Sequence, residues 1–279
     1  MKKLLLLFAL TGVAPWLWGQ SRVEVRPVPY DNIIHLHIEH APQGFAVYGR
    51  WAFMLRHGGQ LVPVDMKEHL VCFSCHLPGN TTHCNNASWG RRSLGRMPLL
   101  YVSDCYGDKY CRVYELAMTQ YGHSFGVSAV EVQRIFFETN SPSYAMDWIV
   151  DARHRRLYAY GGQKGEVLWL KEFMLPNVSD TLVRLGDEDV LRTIIIRGIT
   201  VPQGSMVHRG RIYLLDGDDP EALWLRVYDL KNGDEVGVLD LKEVGLEPEG
   251  ISQKGRWTYV SFNGKGGNDK IFKIKLPRR

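Results

Sequence analysis

The feature that most constrains the fold is a unit that recurs along the chain. Its clearest copy runs over residues 203–230 and opens with a Gln-Gly pair. A short alternating run, a turn with glycine, an apolar run with an aromatic residue, an Asp/Gly/Pro loop and a further apolar run follow in that order. This order predicts an antiparallel meander of strands. Related copies begin near residues 43, 86, 147 and 249.

Repetition of a sheet-sized unit predicts a ring of blades, because the spacing matches four short strands plus their loops. We therefore predict an all-β chain that forms a five-bladed β-propeller of four-stranded antiparallel blades within residues 20–279. An N-terminal strand should close the last blade, and the alternating run at residues 33–39 is the candidate. A β-sandwich or two small barrels is the alternative, but neither requires an internal repeat.

The first residues resemble a targeting segment. Lys2 and Lys3 precede an apolar run at residues 4–13 that is too short to span a bilayer with its flanks. Residues 1–19 are therefore predicted to be a cleaved signal peptide, with an uncleaved anchor as the alternative. No cysteine follows that could carry a lipoprotein acyl chain. We expect a periplasmic or secreted protein that spans no membrane after cleavage.

Charge and composition exclude some partners. The chain has 34 Lys and Arg residues against 30 Asp and Glu, a net charge of +4, and no basic cluster dense enough for a nucleic-acid surface. No nucleic-acid partner is expected. The apolar fraction of 45% is ordinary for a globular chain and sufficient for a large core. We expect a monomer.

One pair of the five cysteines predicts a disulfide. Cys105 and Cys111 bracket five residues at the tip of a predicted hairpin, a loop that a disulfide can close easily. An exported protein meets the oxidising conditions that such a bridge needs. We therefore predict a Cys105–Cys111 disulfide and leave the pairing of the other three cysteines open.

Two cofactor motifs involve the remaining cysteines. Cys72, Cys75 and His76 match the Cys-x-x-Cys-His pattern of covalent haem attachment. The segment alternates as a strand and nothing marks a second axial ligand, so haem on Cys72 and Cys75 is disfavoured. A zinc site formed by Cys72, Cys75, His83 and Cys84 is equally disfavoured, because adjacent residues rarely chelate one ion together.

The candidate site is a set of polar residues, each of which opens one unit. Inner strands of a propeller share a direction, so these residues should meet around one end of the channel. Two carboxylates among them could hold Ca²⁺ or another divalent cation, with Glu249 and Asp147 as the ligands. In the alternative, these side chains only cap the strands and bind water. The full set is Gln43, His83, Asn86, Asp147, Gln203 and Glu249.

Several of these motifs resemble those of secreted bacterial β-propellers. The Glu-Pro-Glu-Gly-Ile element at residues 247–251 is similar to one in SdiA-regulated and regucalcin/lactonase-like propellers. The Gln203-Gly204 pair, Tyr213 and the strand at residues 227–230 contribute to the same general resemblance. The Gln-Gly openings, together with five units, look more like helveticin-type and phage receptor-binding propellers. Exposed aromatic residues and the polar rim favour a module that binds a glycan or another extracellular or envelope polymer at the channel mouth. The lactonase-like resemblance implies the alternative, a metal-dependent hydrolase with a divalent cation on the propeller axis, where Glu249 matches the family motif. Whether the protein is an enzyme stays open.

Overall fold

A computed structural model of the chain describes residues 24–32, 36–38, 41–92, 95, 97–141, 143–162, 168–179, 181–219, 222–264 and 269–276. The predicted signal peptide, residues 1–19, lies outside the described residues. Nearly all of the regular structure is β. Within the described part of the chain, no helix has the length and apolar character needed to cross a bilayer.

The strands follow one another in groups. The chain begins with β1 (Glu24–Val28). Blade 1 contains β2 (Pro42–Tyr48), β3 (Trp51–Arg56), β4 (Gln60–Asp65), β5 (Leu70–Val71) and β6 (Cys75–His76). Blade 2 contains β7 (Ala87–Arg92), β8 (Pro98–Ser103), β9 (Cys111–Tyr121) and β10 (Ser124–Phe137). Blade 3 contains β11 (Ala145–Asp151), β12 (Arg156–Gly162) and β13 (Leu168–Met174), and β14 (Leu182–Leu185) and β15 (Arg192–Ile196) follow it. Blade 4 contains β16 (Pro202–His208), β17 (Arg211–Asp216), β18 (Trp224–Asp229) and β19 (Glu235–Asp240). Blade 5 contains β20 (Glu247–Lys254), β21 (Trp257–Asn263) and β22 (Lys270–Lys275).

These strands form five sheets arranged in a ring, which confirms the predicted five-bladed β-propeller. The inner strands β2, β7, β11, β16 and β20 adjoin one another around the axis. Strand β15 completes blade 3, whereas β14 adds to the edge of blade 2 in parallel with β10. Each neighbouring pair of blades shares one cluster of buried apolar side chains in the described residues, so the core is divided among the blade interfaces.

An N-terminal strand closes the last blade, as predicted, but it is not the predicted one. Strand β1 pairs antiparallel with β22, from Glu24 opposite Lys275 to Val28 opposite Ile271. The prediction that residues 33–39 form this strand is wrong. Residues 36–38 form no strand, and the rest of that run lies outside the described residues.

The alternation at residues 36–38 has another cause. The Asn32 side chain donates to the Leu36 carbonyl at 2.8 Å and accepts from the Leu36 N–H at 2.9 Å, so the Leu36 backbone bonds a side chain and not a neighbouring strand. Leu36 and Ile38 pack against the apolar cluster between blades 5 and 1. Alternate residues therefore face the core without pairing in a sheet.

Inner strands approach so closely that two positions have no room for a side chain. A Cβ on Gly204 would lie 2.5 Å from the Glu249 carbonyl oxygen, and a Cβ on Gly250 would lie 2.3 Å from Phe45 Cβ. Blades 4, 5 and 1 are thus in backbone contact near the axis.

The variant Gly204→Ala should lower the free energy of unfolding by about 1–3 kcal/mol, because the added methyl forces two inner strands apart. Urea denaturation measures this. A matched control is Gly255→Asn, at a turn with φ of 59° and nothing within 4 Å, since asparagine tolerates the left-handed region. Equal midpoints for Gly204→Ala and the wild type would contradict the close packing.

The predicted Cys105–Cys111 disulfide is absent, because all five cysteines are free. The Cys111 side chain on β9 lies in the apolar cluster between blades 2 and 3. Cys105 lies in the loop after β8, beside Cys84 and Asp147. The two thiols therefore have different surroundings. Burial holds the pKa of both well above the ordinary value, so neither is a thiolate nucleophile.

Candidate functional site

The direction of the inner strands defines two ends of the propeller. We call the end where the inner strands begin the upper end, and the end with their first hairpin turns the lower end. Gln43, Asp147, Gln203 and Glu249 all lie near the start of an inner strand and are all buried. Hydrogen bonds between blades connect two of these four positions, Asp147 and Gln203, to their neighbours at the upper end.

Asp147 on β11 is a buried carboxyl with a shifted pKa. Its Oδ2 accepts a hydrogen bond from Asn85 Nδ2 at 2.8 Å. Burial raises the pKa of Asp147 from 3.8 to about 6, although hydrogen bonds with Asn85, Ser103 and Tyr160 act in the opposite direction. The group can therefore gain or lose a proton near neutral pH.

Glu249 on β20 is the second buried carboxyl, with 2% of its surface exposed. Burial, reinforced by the negative charges of Glu247 and Asp269, raises the pKa of Glu249 well above its ordinary value. A hydrogen bond with Asn263 and the nearby charge of Arg56 offset part of this shift. The surroundings thus favour the protonated acid.

Gln203 connects blade 3, blade 4 and blade 5. Its backbone carbonyl accepts from the Tyr160 hydroxyl at 2.9 Å, and its Nε2 donates to Glu247 Oε1 at 2.9 Å. The other oxygen of Glu247 accepts from Asn263 Nδ2 at 3.2 Å. Burial raises the pKa of Glu247. Because Asn263 also bonds Glu249, these contacts form a continuous polar chain, which we call the upper polar chain.

The side-chain amide of Asn86 bonds the backbone of two other blades. Its Nδ2 donates to the Trp148 carbonyl at 2.7 Å, and its Oδ1 accepts from the Ser205 N–H at 2.9 Å. Only 1% of its surface is exposed. Backbone groups of blades 3 and 4 bond both polar atoms of the amide, so Asn86 connects three blades. The remaining predicted residue, Gln43, is buried on β2.

His83 begins a row of rings along the upper surface. His83 Nδ1 lies 2.7 Å from His57 Nδ1, and burial together with His57 lowers the pKa of His83. The ring centres of His57 and His83 are 4.6 Å apart, those of His83 and Tyr106 are 5.0 Å apart, and those of Tyr106 and Tyr144 are 5.4 Å apart. We call these four residues the aromatic row. His57, Tyr106 and Tyr144 were missed in the sequence, because they lie on three loops with no common spacing.

The Asp147 carboxyl predicts a pH dependence of stability. The folded state binds its proton more tightly than the unfolded chain does. The stabilisation is therefore complete below the unfolded pKa and is lost as the pH rises through about 6. Asp147→Asn keeps the neutral state at every pH. Its stability relative to wild type should rise by about 2–3 kcal/mol between about pH 4 and about pH 8.

Denaturation at the two pH values measures the effect. The control Asp187→Asn should show the opposite sign and a small size, because Lys171 lowers the pKa of the exposed Asp187. A pH-independent difference between Asp147→Asn and wild type would show that Asp147 titrates normally.

The described residues contain no group of three His, Cys, Asp or Glu side chains that could hold a metal ion. The cation site at Glu249 and Asp147 thus stays a prediction, and zinc and haem at the cysteines stay disfavoured alternatives. Cys72 is buried and Cys75 is half-buried, on an extended segment at the edge of blade 1. Burial raises the pKa of Cys75 to about 11.

Comparison with known proteins supports the fold alone. No protein-family model and no curated protein sequence matches the chain. The crystal structure of Myxococcus xanthus glutaminyl cyclase is similar with a TM-score of 0.56 and 10% identity, covering 91% of this chain and 94% of that one. The β-propeller domain of Myceliophteria thermophila Cps50 (Swd1) gives a TM-score of 0.45 at 11% identity, covering 86% and 98%.

Proposed function

We propose that the protein is a ligand-binding β-propeller whose upper end takes a glycan or another envelope polymer. The aromatic row is the observation that carries this proposal. Its four rings come from four loops and follow one another along the surface, and Tyr144 is 64% exposed. The apolar C–H face of a sugar ring packs against such aromatic faces, while its hydroxyls remain free for hydrogen bonds.

The upper polar chain supplies complementary chemistry. Amides and protonated carboxyls can both donate and accept hydrogen bonds, as sugar hydroxyls do. The raised pKa of Glu249, a member of this chain, favours its uncharged form at the start of β20. An uncharged, hydroxyl-rich ligand fits these groups better than an anion, which neutral acids do not attract.

Binding to polysaccharides tests the proposal. Purified protein is run through native gels that contain soluble polysaccharides and is sedimented with insoluble peptidoglycan. We expect retention of the wild type by one of these polymers. Tyr106→Ala and Tyr144→Ala should each weaken it about tenfold, as truncation of an aromatic anchor commonly does.

Tyr121→Ala is the matched control, because Tyr121 is 59% exposed but lies on the β9–β10 hairpin at the lower end. It should bind like the wild type. Absence of retention by every polymer, or an equal loss in the Tyr121 variant, would reject a glycan site at the aromatic row.

A second candidate function is general acid–base catalysis at the upper end. The specific observation is two buried carboxyls, Asp147 and Glu249, near the starts of inner strands. The pKa of Asp147 is raised to about 6, and an acid that titrates near the working pH transfers protons efficiently. The glutaminyl cyclase with a similar fold suggests a first substrate. When an N-terminal glutamine cyclises, its α-amine attacks the side-chain amide and ammonia leaves. One proton must leave the amine and one must reach the departing nitrogen.

Ammonia release from a peptide with an N-terminal glutamine tests this candidate. Under it, Glu249→Gln or Asp147→Asn should reduce the rate about 100-fold or more, the usual loss when a general acid or base is removed. Glu243→Gln, at an exposed position before β20, is the control. No release by the wild type would exclude cyclisation of glutamine but would leave the glycan proposal standing.

A further inference from the structure

A cleft of about 220 Å³ lies between blade 5, blade 1 and the segment that follows β1. It is close to the lower end, because Arg50 and Lys254 belong to the first hairpins of their blades. Apolar walls come from Val28, Pro29 and Met66. Among the described residues that line it there is no carboxylate. The basic side chains that line it are Arg50, Lys67, His69, Lys254 and Lys273.

Two carboxylates of blade 1, Asp65 and Glu68, pair with basic residues on that side of the cleft. Arg50 Nε donates to Asp65 Oδ1 at 2.8 Å, and Asp65 also accepts from the backbone N–H of Lys67 at 3.0 Å. Glu68 Oε1 lies 3.4 Å from the Arg50 guanidinium and 3.2 Å from Lys67 Nζ. Both of these carboxylates belong to blade 1, so the blade 5 side retains its positive charge.

The two lysines of blade 5 have other partners. The Lys254 ammonium donates to the Gly49 carbonyl, and Lys273 Nζ lies 5.4 Å from the centre of the Trp257 ring. Neither ammonium meets a carboxylate within the described part of the chain. Because an ammonium has three N–H donors, Lys254 retains two of them for a ligand. Contacts to Gly49 and Trp257 also limit the freedom of these side chains, which lowers the entropy cost of binding.

We propose that this cleft binds a phosphate group carried on a small organic body. Phosphate offers several acceptor oxygens to lysine donors from two blades, and charge-assisted bonds of this kind are strong. The apolar wall at Val28, Pro29 and Met66 accommodates the organic part. At about 30 Å³ for each water displaced, the volume exceeds what a bare phosphate fills.

Occupancy of the cleft also has a consequence for ring closure. The cleft is formed jointly by blade 1, blade 5 and the segment after the closing strand, so a bound ligand contacts the two ends of the ring. A ligand that binds only the closed ring raises the thermal midpoint by mass action.

The test is a titration of the full chain with sn-glycerol 3-phosphate and, separately, with inorganic phosphate at constant ionic strength. Calorimetry follows binding, and the thermal midpoint is recorded. Flotation with phosphatidylcholine vesicles, with and without phosphatidic acid, distinguishes a lipid headgroup from a free phosphate ester. The variants Lys254→Gln and Lys273→Gln are compared with Lys231→Gln, which removes an exposed charge from blade 4.

We expect saturable binding of sn-glycerol 3-phosphate, weaker binding of inorganic phosphate, and a midpoint that rises with ligand. Lys254→Gln and Lys273→Gln should each weaken binding about tenfold, because each loses a charge-assisted contact, while Lys231→Gln binds like the wild type. Because Lys254 also contacts Gly49, the Lys273 variant answers the question if the first one folds poorly. The proposal would be overturned if neither phosphate compound bound saturably and the vesicles did not bind, or if the Lys231 variant lost as much binding as the other two. The lysines of the cleft would then be ordinary solvated side chains.

Discussion

Replacing Arg56 by methionine should destabilise the protein by about 3–5 kcal/mol, the largest effect that we expect of a single substitution. Arg56 on β3 forms an ion pair with Asp269, and both side chains are almost fully buried. The pair joins blade 1 to blade 5. Removal of the guanidinium leaves the Asp269 carboxylate buried, with the Gly264 N–H at 3.0 Å as a remaining donor. Urea denaturation at neutral pH measures the loss.

Two further variants identify the cause. Arg56→Met combined with Asp269→Asn should recover part of the stability, because no uncompensated charge is left. Lys242→Met, which breaks an exposed ion pair with Asp240 of 3.5 Å, should change stability by less than about 1 kcal/mol. A single Arg56→Met variant as stable as wild type would mean that the pair contributes nothing to closure of the ring.

Asn86→Ala should be the second most damaging change, with a loss of about 2–5 kcal/mol. The substitution leaves the Trp148 carbonyl and the Ser205 N–H buried without their partner, at about 1–2.5 kcal/mol for each group. Denaturant unfolding gives the loss. The same variant also tests the role of Asn86 in the candidate site. If Asn86 bound a ligand, Asn86→Ala would reduce ligand binding and change the stability little.

Asn232→Ala is the matched control for Asn86. Asn232 lies in an exposed turn of blade 4, where its amide contacts Asp234. The expected change is within about 0.5 kcal/mol, as for most surface substitutions. If Asn86→Ala and Asn232→Ala behaved alike, the interblade role of Asn86 would be refuted.

The propeller could be predicted because the same order of strands and turns recurs in the sequence of each blade. Which N-terminal segment closes the last blade could not be predicted. The alternation at residues 36–38 arises from packing against the core, which produces the same pattern as a strand. The disulfide prediction failed for a related reason. The spacing shows that Cys105 and Cys111 are close along the chain. It does not show that the Cys111 side chain on β9 points into the core.

The candidate site was partly accessible from sequence. Positions that open each unit predicted buried polar residues at the start of the inner strands, and Asp147, Gln203 and Glu249 lie there. Which of them bonds to which depends on contacts between blades far apart in sequence, such as Gln203 with Glu247. The aromatic row was inaccessible, because its members share neither a motif nor a register and meet only when the ring is formed.

The pairing of β1 with β22 also affects how the molecule is made. These strands lie near opposite ends of the described chain, so β1 has no partner until β22 has been synthesised. Contacts of such long sequence separation form slowly, because the loop that joins them must close first. Until then the outer edge of β22 presents unpaired N–H and C=O groups, which can pair with another chain. A protein whose ring is open at this seam is therefore more exposed to aggregation than a protein damaged at an outer loop.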